Sequence, residues 1–157
     1  MTSVSLEDVS TLLEAPSPAV LTTYREDGSA LTSPVWFRRT GLAFEVVIAG
    51  DDVKLRHLER NPTSSLVIFE TISPFRGGEL RGEASLTHCD VAEIRRSIAT
   101  RYLGGEAGER FAAARMATPG VLLQLFRERP RVWDLGAILP KPSYLSVVEL
   151  ESSPPSY

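Results

Sequence analysis

ALTSPVWFRRTGLAFEVVIAGDDVKLRHLERNP, residues 30–62, decides the fold. Ala30 to Arg39 alternates in the manner of a strand, Thr40-Gly41 reads as a tight turn, and Leu42 to Ile48 as a second strand. Helical spacing follows from about Asp52 to Arg60 and stops at Asn61-Pro62, because a residue preceding proline is steered away from helix. Lys54 and Arg56 therefore fall in the opening turns of a short helix that follows a strand. A strand giving way to a helix N-terminus is a common setting for gripping phosphate, and the two cations suit it, Lys as a compact charge and Arg as a planar fork. The competing reading makes them a solvated helix face paired with Asp51, Asp52 or Glu59. Pro34 and Trp36 share one side of their strand with Thr32 and Arg38, and Pro34, which cannot donate to a ladder, marks an edge or a bulge. Trp36 offers a flat wall to a ring or else packs in the core, and Trp133 near the last strand's end poses the same choice. A flat, phosphate-bearing small molecule suits the segment.

Outward from this stretch, Ser5 opens a helix with Asp8 at the capping-box position and Leu6, Val9, Leu12 and Leu13 on one face, ended by Pro16 and Pro18. Pro18 to Arg25 is a strand, and Glu26-Asp27-Gly28-Ser29 a hairpin signal. Ser64 to Glu70 is the next strand, Thr71 to Gly78 a loop, and Glu79 to His88 a strand bent at Gly82. Asp90 caps a helix, with Glu93 at the capping-box position and a stripe of Val91, Ile94, Ile98 and Tyr102; Arg95, Arg96 and Arg101 lie off that stripe. Gly104, Gly105 and Gly108 separate it from a helix over Glu109–Ala117, and Gly120–Phe126 and Arg131–Leu135 are the last strands. The expected class is mainly β with helices, an antiparallel barrel of about six or seven strands. Residues 1–139 form the barrel domain and 140–157 a proline-rich tail.

A chain of 157 residues with 43% hydrophobic and 24% charged residues is expected to fold as one globular domain. Its net charge of -3 exerts no pull towards nucleic acid or an anionic membrane. Its one cysteine, Cys89, forms no intramolecular disulfide and fits a reducing cytoplasm. The N-terminus lacks the basic start and apolar run of a signal peptide, and no apolar stretch approaches the roughly 20 residues that cross a bilayer. The expected protein is thus cytoplasmic, with no metal site: HExxH, CxxC, P-loop and GxSxG patterns are all missing from the sequence. Cys89 beside His88 reads as incidental. Any chemistry is then lent by a cofactor.

The succession DGS, TSPVWF, FEVVIAGDDVKLRHLERNP, SLVIFE and ELRGEASL, within residues 6–135, resembles the split β-barrel superfamily of pyridoxamine 5'-phosphate oxidase. Within it, the sequence is most similar to the B group of flavin/deazaflavin oxidoreductases, the F-420-dependent reductases. The P-V-W-F strand and the K-x-R-x-L-x-x-N-P helix carry most of the likeness. The resemblance implies a homodimer with coenzyme F-420, or alternatively FMN, in a groove between subunits. It places the ring along Ser33, Pro34, Val35 and Trp36 and beside Ile48 and Ala49, the phosphate on Lys54 and Arg56, and Trp133 on the partner's side of the groove. It further implies hydride transfer to a small unsaturated or carbonyl-type substrate. The sequence itself marks no evident proton donor; Tyr24 and His57 are the candidates. A non-catalytic module holding a flavin or haem is the reading from another class. Two departures from the family pattern stand out: Asp51 and Asp52 occupy the place where Ser, Thr or Arg is usual, and His57 stands where Asn is. Two acids beside a phosphate repel it.

Overall fold

The computed structural model describes residues 4–126 and 130–140, so the tail expected over 140–157 lies outside the described residues except for Pro140. Among the described residues, nine strands pair antiparallel in two sheets. The first runs β2 (Ala30–Val35), β1 (Ala19–Tyr24), β5 (Thr63–Phe69), β6 (Gly77–Glu83), β9 (Arg131–Trp133). The second runs β3 (Arg38–Thr40), β4 (Ala43–Ala49), β8 (Gly120–Phe126), β7 (Ser85–Thr87). Fully buried Leu21, Leu66 and Ile68 from the first sheet meet Phe44, Ile48, Leu123 and Leu125 from the second, which is the core of a barrel divided into two sheets. The mainly-β antiparallel expectation holds.

Two segments expected as single strands each cross from one sheet to the other. Ala30–Arg39 breaks at Trp36-Phe37: β2 is an edge strand, where Pro34 costs no ladder bond, and the chain then drops Phe37 fully into the core before β3 begins. Arg38 ties β3 to β4 through a 2.6 Å ion pair with the buried Glu45. The second break is at Ala84 rather than Gly82, where buried Ala84 donates its N–H to the Pro62 carbonyl and separates β6 from β7.

The helices differ from expectation mainly in their ends. The N-terminal one begins as a 3-10 turn over Glu7–Val9, with the Asp8 carboxylate accepting from the Ser5 N–H and hydroxyl, and continues as α1 (Ser10–Glu14). Helix α2 (Val53–Arg60) agrees with the reading, including its stop at Asn61. In α3 (Ala92–Leu103), Asp90 accepts from the Ala92 N–H while Glu93 pairs with Arg96 instead of closing a capping box. Helix α4 spans Gly105–Ala114, earlier than expected, because Gly104 alone, at φ 82°, breaks the helix; Gly108 sits inside α4 where a Cβ would strike the Thr100 backbone. The glycines thus pack α4 tightly on α3 as well as separating them. Arg101 of α3 anchors α1 by donating to the carbonyls of Leu13 and Ala15.

Candidate functional site

A cavity of about 300 Å3 opens where the β2–β3 corner, the end of β4, the start of α2 and helices α3 and α4 converge. Pro34, Val35 and Trp36 line it on one side and Val46, Val47, Ile48 and Ala49 on another, with Ile98 and Phe111 from the helices. Lys54, Asp52, Arg95, Arg115 and Thr118 supply its polar lining. Of the residues expected at the site, the fold brings Pro34, Val35, Trp36, Ile48, Ala49 and Lys54 to this one cavity. Ser33 pairs with Leu21 one residue before the lining begins, and Arg56 is exposed on α2; neither lines the cavity. Trp133 pairs with Gly77 across β6–β9, its indole lying where a Cβ on Gly77 would be and its ring 5.2 Å from the Arg131 guanidinium. Within one chain that indole packs on its own sheet, away from the cavity.

The start of α2 differs from the open helix end expected of a phosphate grip. Asp52 is the N-cap: its carboxylate accepts from the Lys54 N–H at 2.9 Å and from Lys54 Nζ at 2.6 Å. Burial pushes the Asp52 carboxyl up, but the Lys54 hydrogen bonds and charge outweigh it and hold the group below the usual carboxylate range. Lys54 is only 14% exposed, so it is not a solvated-face lysine. Asp51 beside it is exposed and outside the lining. Neither candidate proton donor lines the cavity. His57 is buried beneath α2, where its Nδ1 shares a 3.0 Å hydrogen bond with Thr23 Oγ1; burial, then Arg25, Arg60 and Arg56, depress its pKa and favour the neutral ring.

Trp36 is 36% exposed, yet its ring is engaged within the chain, stacked on Tyr102 at 5.2 Å and 11° and tilted against Phe111 at 5.3 Å. Tyr102 is held by its own hydroxyl, which donates to the Ser17 carbonyl. Pro34, Val35, Trp36 and Phe111 also border a second, larger groove of about 690 Å3, walled by Pro16, Pro18, Ala19, Val20, Phe69 and Tyr102. Trp36 and Phe111 thus stand between a compartment with a cationic end and an almost wholly apolar one.

Arg95, Arg115 and Phe111 are site residues the sequence reading missed. Arg95 is expected off the apolar stripe, yet it is 8% exposed and donates to the carbonyls of Arg115 at 2.8 Å and Thr118 at 3.0 Å. It fits because Gly120 has no side chain: a Cβ there would lie 2.9 Å from Arg95 Nη2. Arg115 lies over the Phe111 ring, 3.8 Å from its centroid. The only hint in the sequence is position: Arg95 precedes Ile98 of the stripe by three, close enough on a helix to share part of its face.

A family model described as pyridoxamine 5'-phosphate oxidase matches residues 5–131. No curated protein matches the chain. Among solved structures, the conserved hypothetical protein Rv2991 from Mycobacterium tuberculosis is similar at a TM-score of 0.74 and 20% identity, over 89% of this chain and 91% of that one. A structure named F420 reductase is similar at 0.64 and 20% identity, over 78% and 94%. HutZ, described as the heme storage protein from Vibrio cholerae, is similar at 0.62 and 17% identity, over 85% and 95%. At these identities the structural likenesses establish the fold.

Proposed function

This chain belongs to the pyridoxamine 5'-phosphate oxidase family, and we propose that it is an oxidoreductase using the deazaflavin coenzyme F-420, with FMN as the alternative, on a small unsaturated or carbonyl-type substrate in the cytoplasm. The observation that carries the reading is the cavity itself. Two strand segments, Pro34–Trp36 and Val46–Ala49, line it with apolar surface, while its polar lining holds Lys54, Arg95 and Arg115 against a single acid, Asp52. A planar ring with a phosphate arm needs that combination of apolar walls and convergent cations.

At about 300 Å3 the cavity is at the small end for ligand sites, which suits the ring rather than a whole cofactor. Pro34, Val35, Ile48 and Ala49 would hold that ring and keep water from it, and Lys54 would bind the phosphate. The cofactor, when bound, supplies the hydride; the chain's own part is to orient ring and substrate and to exclude water. Haem suits the cavity less well, because its lining offers no His, Cys, Met or Tyr as an axial ligand.

A homodimer belongs to the same proposal. Val20 and Val67 lie outward on the first sheet and are half-buried in a single chain, and Val20 borders the apolar groove beside Trp36. A second subunit would cover this surface and bring a further wall to the cavity mouth. Light scattering should give twice the 17.2 kDa chain mass, and anaerobic mixing with reduced F-420 and a panel of conjugated enones and aldehydes should re-oxidise the coenzyme. A monomeric mass, or a coenzyme that stays reduced with every acceptor of the panel, would contradict this reading.

A further inference from the structure

We propose that Arg115, at the end of α4, is the second cation that grips the ligand's phosphate, and that Arg95 is the residue that positions it. The inference rests on the cofactor reading above and changes its anion site: Arg56 and Arg115 are both exposed, but only Arg115 lines the cavity. Among the described residues Arg115 has no ion-pair partner; its guanidinium is stacked on Phe111 instead, which leaves its hydrogen-bonding edges for an anion. Lys54 shares its charge with Asp52 through the 2.6 Å pair, so it does not neutralise a phosphate by itself. Taken together, the charged groups on the cavity wall leave two positive charges in excess, and both belong to the α3–α4 side.

Arg95 accounts for the placement. Its guanidinium clamps the turn from Arg115 to Thr118 by donating to both their carbonyls, in a space that Gly120 keeps open. The same turn is closed by the Thr118 N–H donating to the Arg115 carbonyl. Burial and then Arg115 itself lower the Arg95 pKa, with Asp90 opposing, so two like charges are held near one another at one side of an open cavity. An anion between Arg115 and Lys54 relieves that repulsion, and a phosphate, with several acceptor oxygens, matches the planar fork of Arg115.

The test compares ligands with and without the phosphate: FMN with riboflavin, and F-420 with its phosphate-free ring fragment, titrated against wild type, Arg115→Gln and Arg56→Ala. Removing the Arg115 fork should shrink the affinity advantage of the phosphorylated ligand at least tenfold, leaving the phosphate-free ligand within about twofold, with Arg115→Lys recovering part of the loss. Arg95→Gln should reduce the same advantage without touching phosphate-free binding. An advantage unchanged in Arg115→Gln, or one that collapses in Arg56→Ala instead, overturns the proposal while leaving the cofactor reading intact. If none of these ring compounds binds wild type, the cofactor reading fails. Inorganic pyrophosphate then decides the anion site: an upward shift in wild-type melting temperature that Arg115→Gln abolishes supports it, and no difference between the two proteins overturns it.

Discussion

Phe37→Ala is expected to lower folding stability by about 3–5 kcal/mol, the range for emptying a large aromatic site in a core. Phe37 has no exposed surface and sits where the chain leaves the first sheet for the second. Its ring meets Phe44 at 6.1 Å and Tyr102 edge-on at 6.4 Å, and the Arg101 guanidinium lies 4.5 Å from its centroid. Arg101 in turn holds the last carbonyls of α1. Emptying the Phe37 site thus removes packing from both sheets and loosens the arginine that ties α3 to α1. Urea denaturation followed by circular dichroism gives the difference directly. A loss below about 0.5 kcal/mol, typical of surface substitutions, would mean that the corner is not a structural joint.

Lys54→Ala is expected to weaken binding of the phosphorylated cofactor by about 1.5–3 kcal/mol, the range for hydrogen bonds to charged groups. That is a loss of roughly tenfold to a hundredfold or slightly more. Folding stability should change by about 1 kcal/mol or less, since the pair with Asp52 is partly solvated and the Asp52 cap on the Lys54 N–H does not need the side chain. Asp52→Ser keeps a helix-capping oxygen and removes the acid, so it should tighten binding by freeing the ammonium. Isothermal titration of the three proteins separates the cases. Unchanged affinity in Lys54→Ala, with normal melting, would make Lys54 a partner of Asp52 and nothing more.

Local signals carried much of the fold. Thr40-Gly41, the Asp52 cap and Asn61-Pro62 act over a few residues, so the β-turn-β-helix order around them could be read directly. Of the cavity wall, alternation put Pro34 and Trp36 on one side of their strand and helical spacing put Lys54 in the opening turns of α2, while Val35, Ile48 and Ala49 came from the family resemblance. What could not be read depends on contacts between distant segments. The break at Ala84 comes from its hydrogen bond to Pro62, twenty-two positions earlier. Arg95 is buried because Gly120 and the turn after α4 accept it, and no helical pattern within α3 records that. Trp36 gave a false simplicity: as a flat apolar wall it was legible, but its stacking on Tyr102 needs α3 folded back over the barrel.

The central claim is that this cavity takes a planar, phosphate-bearing redox cofactor. Titration of the purified protein separately with F-420, FMN and haem, followed by cofactor absorbance and tryptophan emission, tests it most directly. Trp36 at the cavity wall should report the bound ring by quenching. The expected result is saturable binding of F-420, or of FMN in its place, at one cofactor per chain with loss of indole emission; saturable binding of haem alone, or no binding of any of the three, would contradict it.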